Sequence, residues 1–304
     1  WEVVSTTENT FPTGQATKRI DFVVTLKTPP TTVVKSNVIY NLDGVNVAIT
    51  SDHYPLYCDF KKPTGLEEYP KAEGDLRIGN YFLTYCKGTD GVIDYDRTGR
   101  IIAKMNADIV CLQGLDKETE RSEGIDQLNV LAQKANMYDY FAKAIDYKGG
   151  EFGVGILTKE EPVSVDRYQM AGKSEMRAAM VVEYEKFVVA STNFDTDMAK
   201  RIEALQTLET KLSAYNKPAF LLGYFNEGDL ESEFFQMVKS NWNLLSADKS
   251  TEVSGKKRRL DFIVSLKSHN VNVTQADVIE SLSGVDVTVA STHYPLFCDF
   301  SGLK

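Results

Sequence analysis

The chain has 304 residues, 42% of them apolar and 25% charged, and a net charge of −9 at pH 7. That composition describes a globular protein with ample material for a core. The acidic balance disfavours a nucleic-acid backbone as partner, because binding a polyanion needs a basic face. No apolar run is long enough to span a membrane. The N-terminal Trp1-Glu-Val-Val lacks a signal-peptide pattern.

In chain order, residues 1–60 hold two β-like stretches. Phe22, Val24 and Leu26 alternate on one face, and Val45, Val47 and Ile49 alternate further on. Residues 61–74 carry two prolines, two glycines and mixed charges, the composition of a linker. From residue 75 strands and helices alternate. Leu76–Leu83 reads as a strand, Asp94–Met105 as a helix, and Asp108–Gln113 as a buried strand. Ile125 to Ala135 repeats apolar residues at helical spacing, and Gly153–Leu157 is strand-like. Ala178–Tyr184 and Phe187–Thr192 read as a hairpin joined at Glu185-Lys186. Arg201–Tyr215 is an amphipathic helix, Pro218–Gly223 a strand, and Glu231–Val238 a helix. Asp261–Leu266 and Val285–Ala290 close the unit. Hairpins mixed with crossovers predict mixed sheets with helices outside.

Cys58, Cys86, Cys111 and Cys298 form no CxxC pair, which disfavours a zinc site. Gly255-Lys-Lys-Arg-Arg259 is the one local basic run and reads as a solvated loop before a strand.

A domain-sized repeat organises the whole. Ser51-Asp-His-Tyr-Pro-Leu-Tyr-Cys-Asp-Phe60 recurs as Ser291-Thr-His-Tyr-Pro-Leu-Phe-Cys-Asp-Phe300, and Arg19-Ile-Asp21 recurs as Arg259-Leu-Asp261. The offset of 240 persists between them without a gap. Trp1-Glu-Val-Val-Ser matches Trp242-Asn-Leu-Leu-Ser with one residue of slippage. Residues 75–300 therefore read as a complete domain, and residues 1–60 as the C-terminal fragment of a preceding copy. An orphaned fragment must cover its open strand edges. It is expected to pair with an upstream partner or to dock on a neighbouring chain, including by domain swapping.

The phrases in order, among them Gly91-Val-Ile-Asp-Tyr-Asp-Arg97 and Ala144 to Glu160, resemble the endonuclease/exonuclease/phosphatase superfamily. The resemblance implies an α/β (α+β) fold, a four-layer α/β/β/α sandwich with two mixed sheets. It also implies a Mg²⁺-dependent phosphoester hydrolysis site at the sheet ends. In that family the first strand ends Thr-Tyr-Asn; here it ends Asn80-Tyr-Phe82. Leu-Gln-Glu, whose Glu is the principal metal ligand, is Leu112-Gln113-Gly114. Thr-His-Leu is Thr192-Asn193-Phe194, and Gly-Asp-Phe-Asn is Gly223-Tyr224-Phe225-Asn226. Ser-Asp-His, whose Asp orients the His or acts with it at phosphate, is Ser291-Thr292-His293.

Five positions are thus substituted: Phe82, Gly114, Asn193, Tyr224 and Thr292. Gln113, Asn226, Asp261 and His293 remain. Tyr81, Phe82, Tyr85, Tyr224 and Phe225 are expected to make the former cleft aromatic. The N-terminal fragment keeps Asp21, Asp52 and His53. The reading is a non-catalytic phosphohydrolase-like domain that binds, scaffolds or regulates a protein partner or neighbouring copy, without a cofactor. The alternatives are a weak Mg²⁺-dependent phosphodiesterase or phosphatase, and a structural repeat in a multi-domain array. The resemblance to bacterial members implies export.

Overall fold

The computed structural model describes residues 1–25, 33–60 and 68–304, and the chain divides into two compact units, Trp1–Pro70 and Lys71–Lys304. Leu26 and the first half of the 61–74 linker lie outside the described residues.

The first unit contains β1 (Glu2–Val3), β2 (Val24–Thr25), β3 (Val33–Val38), the single helical turn α1 (Val47–Thr50) and β4 (Leu56–Phe60). β1 pairs antiparallel with β2, and β3 with β4. Its small core is Val38, Val47 and Tyr54.

The second unit runs β5 (Leu76–Phe82), α2 (Tyr95–Met105), β6 (Ile109–Lys117), α3 (Gln127–Ala135), β7 (Tyr138–Tyr147), β8 (Gly150–Thr158), β9 (Ser164–Met170), β10 (Arg177–Glu183) and β11 (Val188–Asn193). It continues with α4 (Met198–Leu212), β12 (Ala219–Tyr224), α5 (Glu233–Asn241), β13 (Trp242–Leu244), β14 (Asp261–Leu266), β15 (Asn272–Val278), the turn α6 (Val287–Ala290) and β16 (Leu296–Ser301). Two six-stranded sheets result, ordered β13-β14-β12-β11-β10-β9 and β15-β16-β5-β6-β8-β7. Both are mixed: β5–β6 and β11–β12 are parallel and the other pairs antiparallel.

Period-two alternation decides which layer each side chain joins. On β10, Ala178, Met180 and Val182 enter the core between the sheets, while Ala179 and Val181 join the core under α4 and α5. On β12, Phe220 and Leu222 face one core, and Ala219 and Leu221 the other. α2 and α3 cover the second sheet so closely that a Cβ on Gly155 would lie 2.7–2.8 Å from methyls of Leu128 and Leu115. The layers are α/β/β/α, as the resemblance implied.

The helices begin where side-chain caps place them. Asp94, Asp126, Asp197 and Ser232 each accept a backbone N–H of the first turn, satisfying donors that a helix leaves open. Two expectations need correction. Val285–Ala290 and its counterpart Val45–Ile49 are not strands; each ends in one helical turn, and the strands that close the unit are β15 and β16. β7 and β9 were not foreseen, because each sits at a sheet edge with little buried alternation.

The pairings of the first unit recur in the second at offsets of 240 or 241. Val3↔Val24 corresponds to Leu244↔Val264, and Val33↔Phe60 to Val273↔Phe300, with a bulge at the same step in each. The backbone N–H of Tyr54 donates to Thr10 O, and that of Tyr294 to Thr251 O.

Equivalent side chains differ in burial: Phe262 is fully buried and Phe22 half exposed. Phe262→Ala should destabilise the second unit by about 3–5 kcal/mol. Phe22→Ala should cost less than about 1 kcal/mol, as for surface substitutions. Urea unfolding followed through Trp242 fluorescence, with Trp1→Phe as background, checks the first, and hydrogen exchange at the Tyr54 amide, which is bonded to Thr10 O in the first unit, checks the second.

Candidate functional site

The motif positions meet at one end of the two sheets. Phe82 ends β5 and is in register with Gln113 of β6. Asn193 ends β11, is in register with Tyr224 at the end of β12, and Tyr224 is in register with Asp261 at the start of β14. The loop before β16 brings in Ser291, Thr292 and His293, and Ser291 Oγ donates to Phe82 O at 2.6 Å.

The centre is a buried pair. His293 Nδ1 lies 2.6 Å from Asp261 Oδ2, with side chains 5% and 0% exposed. A carboxylate only accepts, so toward it Nδ1 is the donating nitrogen. The orienting carboxylate is therefore Asp261, on another strand, and not residue 292. Thr292 is exposed and its Oγ1 lies 3.1 Å from Thr84 Oγ1. The first unit has the same arrangement. His53 Nδ1 is 2.8 Å from Asp21 Oδ2, Thr10 Oγ1 donates to that carboxylate, and Asp52 is exposed. The Thr10 hydrogen bond, helped by His53 and opposed by desolvation, holds the Asp21 carboxyl below its ordinary range.

Two rings, Phe82 and Tyr224, close over the pair. Phe82, Tyr224 and His293 stand with every pair of ring centroids 4.7 Å apart, in tilted and edge-on geometry, the arrangement aromatic quadrupoles favour. Burial, then the nearby Asp261 charge, raises the Tyr224 phenol above its ordinary range. The other predicted aromatics are elsewhere. Tyr81 is fully buried on the opposite face of β5, and Phe225 packs with Phe194, Phe234 and Phe262 in the helix-side core. Tyr85 stacks on the Arg121 guanidinium at 3.8 Å, which itself forks onto Asp116.

Gln113 turns below the site, where its Nε2 donates to Asn80 Oδ1 and Ser191 Oγ. Asn226 Nδ2 donates to Phe194 O at 2.7 Å and reaches Asn193 Oδ1 at 3.4 Å. At the rim, Arg258 forks onto Glu252 and lowers that carboxyl to about 2. Arg259 reaches Asp248 and Ser246, so the arginines of the basic run are already engaged.

Gly114 has φ +75°, and the β6–β8 register slips between Gln113 and Leu115. A Cβ there would lie 3.3 Å from the Phe82 ring and from Thr84 N. Where the resemblance places the principal metal ligand, the backbone thus bulges and a ring covers it. Mg²⁺ demands near-octahedral oxygen ligation. Among the described residues no cluster of three His, Cys, Asp or Glu side chains could hold a metal. The one carboxylate in the centre, Asp261, commits Oδ2 to His293, and its Oδ1 has no hydrogen-bond partner among the described residues. These donors do not fit Mg²⁺.

No family model matches the chain, and no curated protein matches it. Solved structures do. An endonuclease/exonuclease/phosphatase from Beutenbergia cavernae DSM 12333 matches with TM-score 0.64 and 18% identity, over 76% of this chain and 73% of that one. A mannosyl-6-phosphatase from Bacteroides thetaiotaomicron VPI-5482 matches at 0.58 and 15%, over 74% and 99%. The human Nocturnin catalytic domain with bound sulfate matches at 0.57 and 19%, over 76% and 96%. The fold is that of endonuclease/exonuclease/phosphatase proteins.

Gly114→Ala should destabilise by about 1–2 kcal/mol, the penalty of a left-handed conformation for a residue with a Cβ. A neighbouring Phe82→Ala should not relieve it, since the backbone imposes the strain. Thermal unfolding of the single and double variants measures this.

Proposed function

We propose that the second unit is a non-catalytic copy of the endonuclease/exonuclease/phosphatase fold, used to bind, scaffold or regulate beside another copy of that fold. The observation that carries this reading is the collapsed centre. Gly114 lies in a left-handed bulge with the Phe82 ring against its Cβ position, and the Phe82, Tyr224 and His293 rings are in mutual contact. Phosphoester hydrolysis on this fold asks for a charged centre that holds a cation and a water. Here aromatic carbon stands in that place. The acidic net charge argues in the same direction against a nucleic-acid substrate.

The reading extends to the first unit, taken as the last quarter of a preceding copy. The offset of 240 to 241 in sequence, in strand register and in the Asp–His pairing supports it.

A second reading, a weak Mg²⁺-dependent phosphodiesterase or phosphatase, is favoured by one observation, the intact Asp261–His293 pair. A positioned acid–base group contributes about 10²–10⁴-fold on its own, which falls short of replacing the missing charges.

Calorimetry with Mg²⁺ or Mn²⁺ should find no site tighter than the millimolar range, about 4 kcal/mol of binding. Hydrolysis of bis(4-nitrophenyl) phosphate and of DNA should stay at background. Gly114→Glu alone should not restore turnover, because residues that act as a unit are not additive. Metal-dependent turnover that disappears in His293→Ala would establish the second reading instead.

A further inference from the structure

Among the described residues, the first unit leaves open two strand edges that are filled in the second. β14 is paired on both sides, by β13 and β12, and β16 is paired on both sides, by β15 and β5. Their counterparts β2 and β4 each have a single partner among the described residues. The side chains follow the edges. Trp1, Ile20, Phe22, Val24 and Phe60 are between 42% and 76% exposed, whereas Trp242, Leu260, Phe262, Val264 and Phe300 are 4% exposed or less.

What covers the second set is visible. Phe262 lies against the rings of Phe225 and Phe235, and Phe300 against Phe220. The Trp242 indole N–H donates to Glu209 of α4. All of these covering residues lie between Leu76 and Asn241.

We propose that this face of the first unit is a docking surface for a segment with the pattern of Leu76–Asn241, the first three-quarters of the same fold. The match is set by geometry. The occupant lays one strand antiparallel along β2, as β12 does on β14, and another antiparallel along β4, as β5 does on β16. It brings aromatic side chains to Phe22 and Phe60 and an acceptor to the Trp1 indole. Within the second unit β12 and β5 are already paired on both edges, so the occupant proposed is a separate segment of that pattern.

The five exposed side chains leave on the order of 500 Å² to water, against the ~800 Å² per partner of a standard interface, and the two strand edges extend that area. A face of this kind on a two-stranded ribbon is otherwise a site of uncontrolled pairing. The inference rests on the first unit being a domain quarter. It is independent of whether the second unit hydrolyses anything.

The test compares the chain with a fused chain in which a second copy of residues 71–241 precedes Trp1. Hydrogen exchange is read at the amides of 21–25 and 56–60. In the chain alone these should exchange at least ~100-fold faster than those of β14 and β16. In the fused chain they should slow by at least ~100-fold, and Phe22→Asp in that chain should return them to fast exchange while β14 and β16 stay protected. Three results would overturn the proposal. One is equal protection of both sets in the monomeric chain, which would mean the first unit is complete by itself. Another is a fused chain with an intact second unit and no slowing at 21–25 and 56–60. The third is protection that rises with concentration of the unfused chain, which would make a second copy of the chain the occupant. Metal-dependent hydrolysis by the second unit would leave all these outcomes unchanged, so the two readings fail separately.

Discussion

The hydrogen bond between Asp261 and His293 organises the site end of the second unit. Asp261 opens a strand of one sheet, and His293 lies in the loop that leads into β16 of the other, so the bond ties the sheets together where their ends would otherwise splay. Both side chains are buried, and in that setting the bond is stronger than it would be in water. It also fixes the imidazole plane, which then serves as one wall of the contact with Phe82 and Tyr224. The same bond recurs between Asp21 and His53 with both side chains about one-third exposed. There the imidazole meets the Phe11 ring at 5.1 Å between centroids, so the pair forms without counterparts of the Phe82 and Tyr224 contacts.

Asp261 also shows what burying a carboxylate under aromatic carbon costs. Its Oδ1 is buried without a hydrogen-bond partner among the described residues, and a buried acceptor in that state costs about 1–3 kcal/mol. The ring contacts over it return about 0.5–1.5 kcal/mol per pair beyond their burial. The terms are of comparable size, so a centre without charged partners can persist in a folded domain once its aromatic cover is in place.

Much of this was legible in the sequence. Mixed sheets with helices outside followed from the mixture of hairpins and crossovers, the four-layer order followed from the family resemblance, and the strands β10, β11, β12 and β14 followed from continuous apolar runs that feed two cores at once. The repeat told where the closing elements lie. Its short segment at 285–290 misled, since six residues with three valines read as strand although Asp286 caps the last four into a turn by accepting from Thr288 N. At the site, alternation could have sorted the aromatics. Tyr81 and Phe82 are neighbours on one strand, as Tyr224 and Phe225 are around the end of another, so only one of each pair can face the site. The carboxylate partner of His293 was beyond reach. A residue 32 positions away holds it, while the neighbour at 292 is exposed and meets Thr84.

Residues 82, 114 and 224 fit together as one unit. Phe82 reaches over Gly114 because nothing projects from that residue, and the bulge at Gly114 is tolerated because glycine accepts φ +75° without strain. Tyr224 then completes the ring contact against the other side of Phe82. Each residue occupies space that the others vacate. A carboxylate reintroduced at 114 would meet both a strained backbone and a ring. One at 224 would sit in register with Asp261 and share its desolvated surroundings, where a second negative charge is disfavoured. A further charge fits this centre only if the cover is removed and the bulge is reset together.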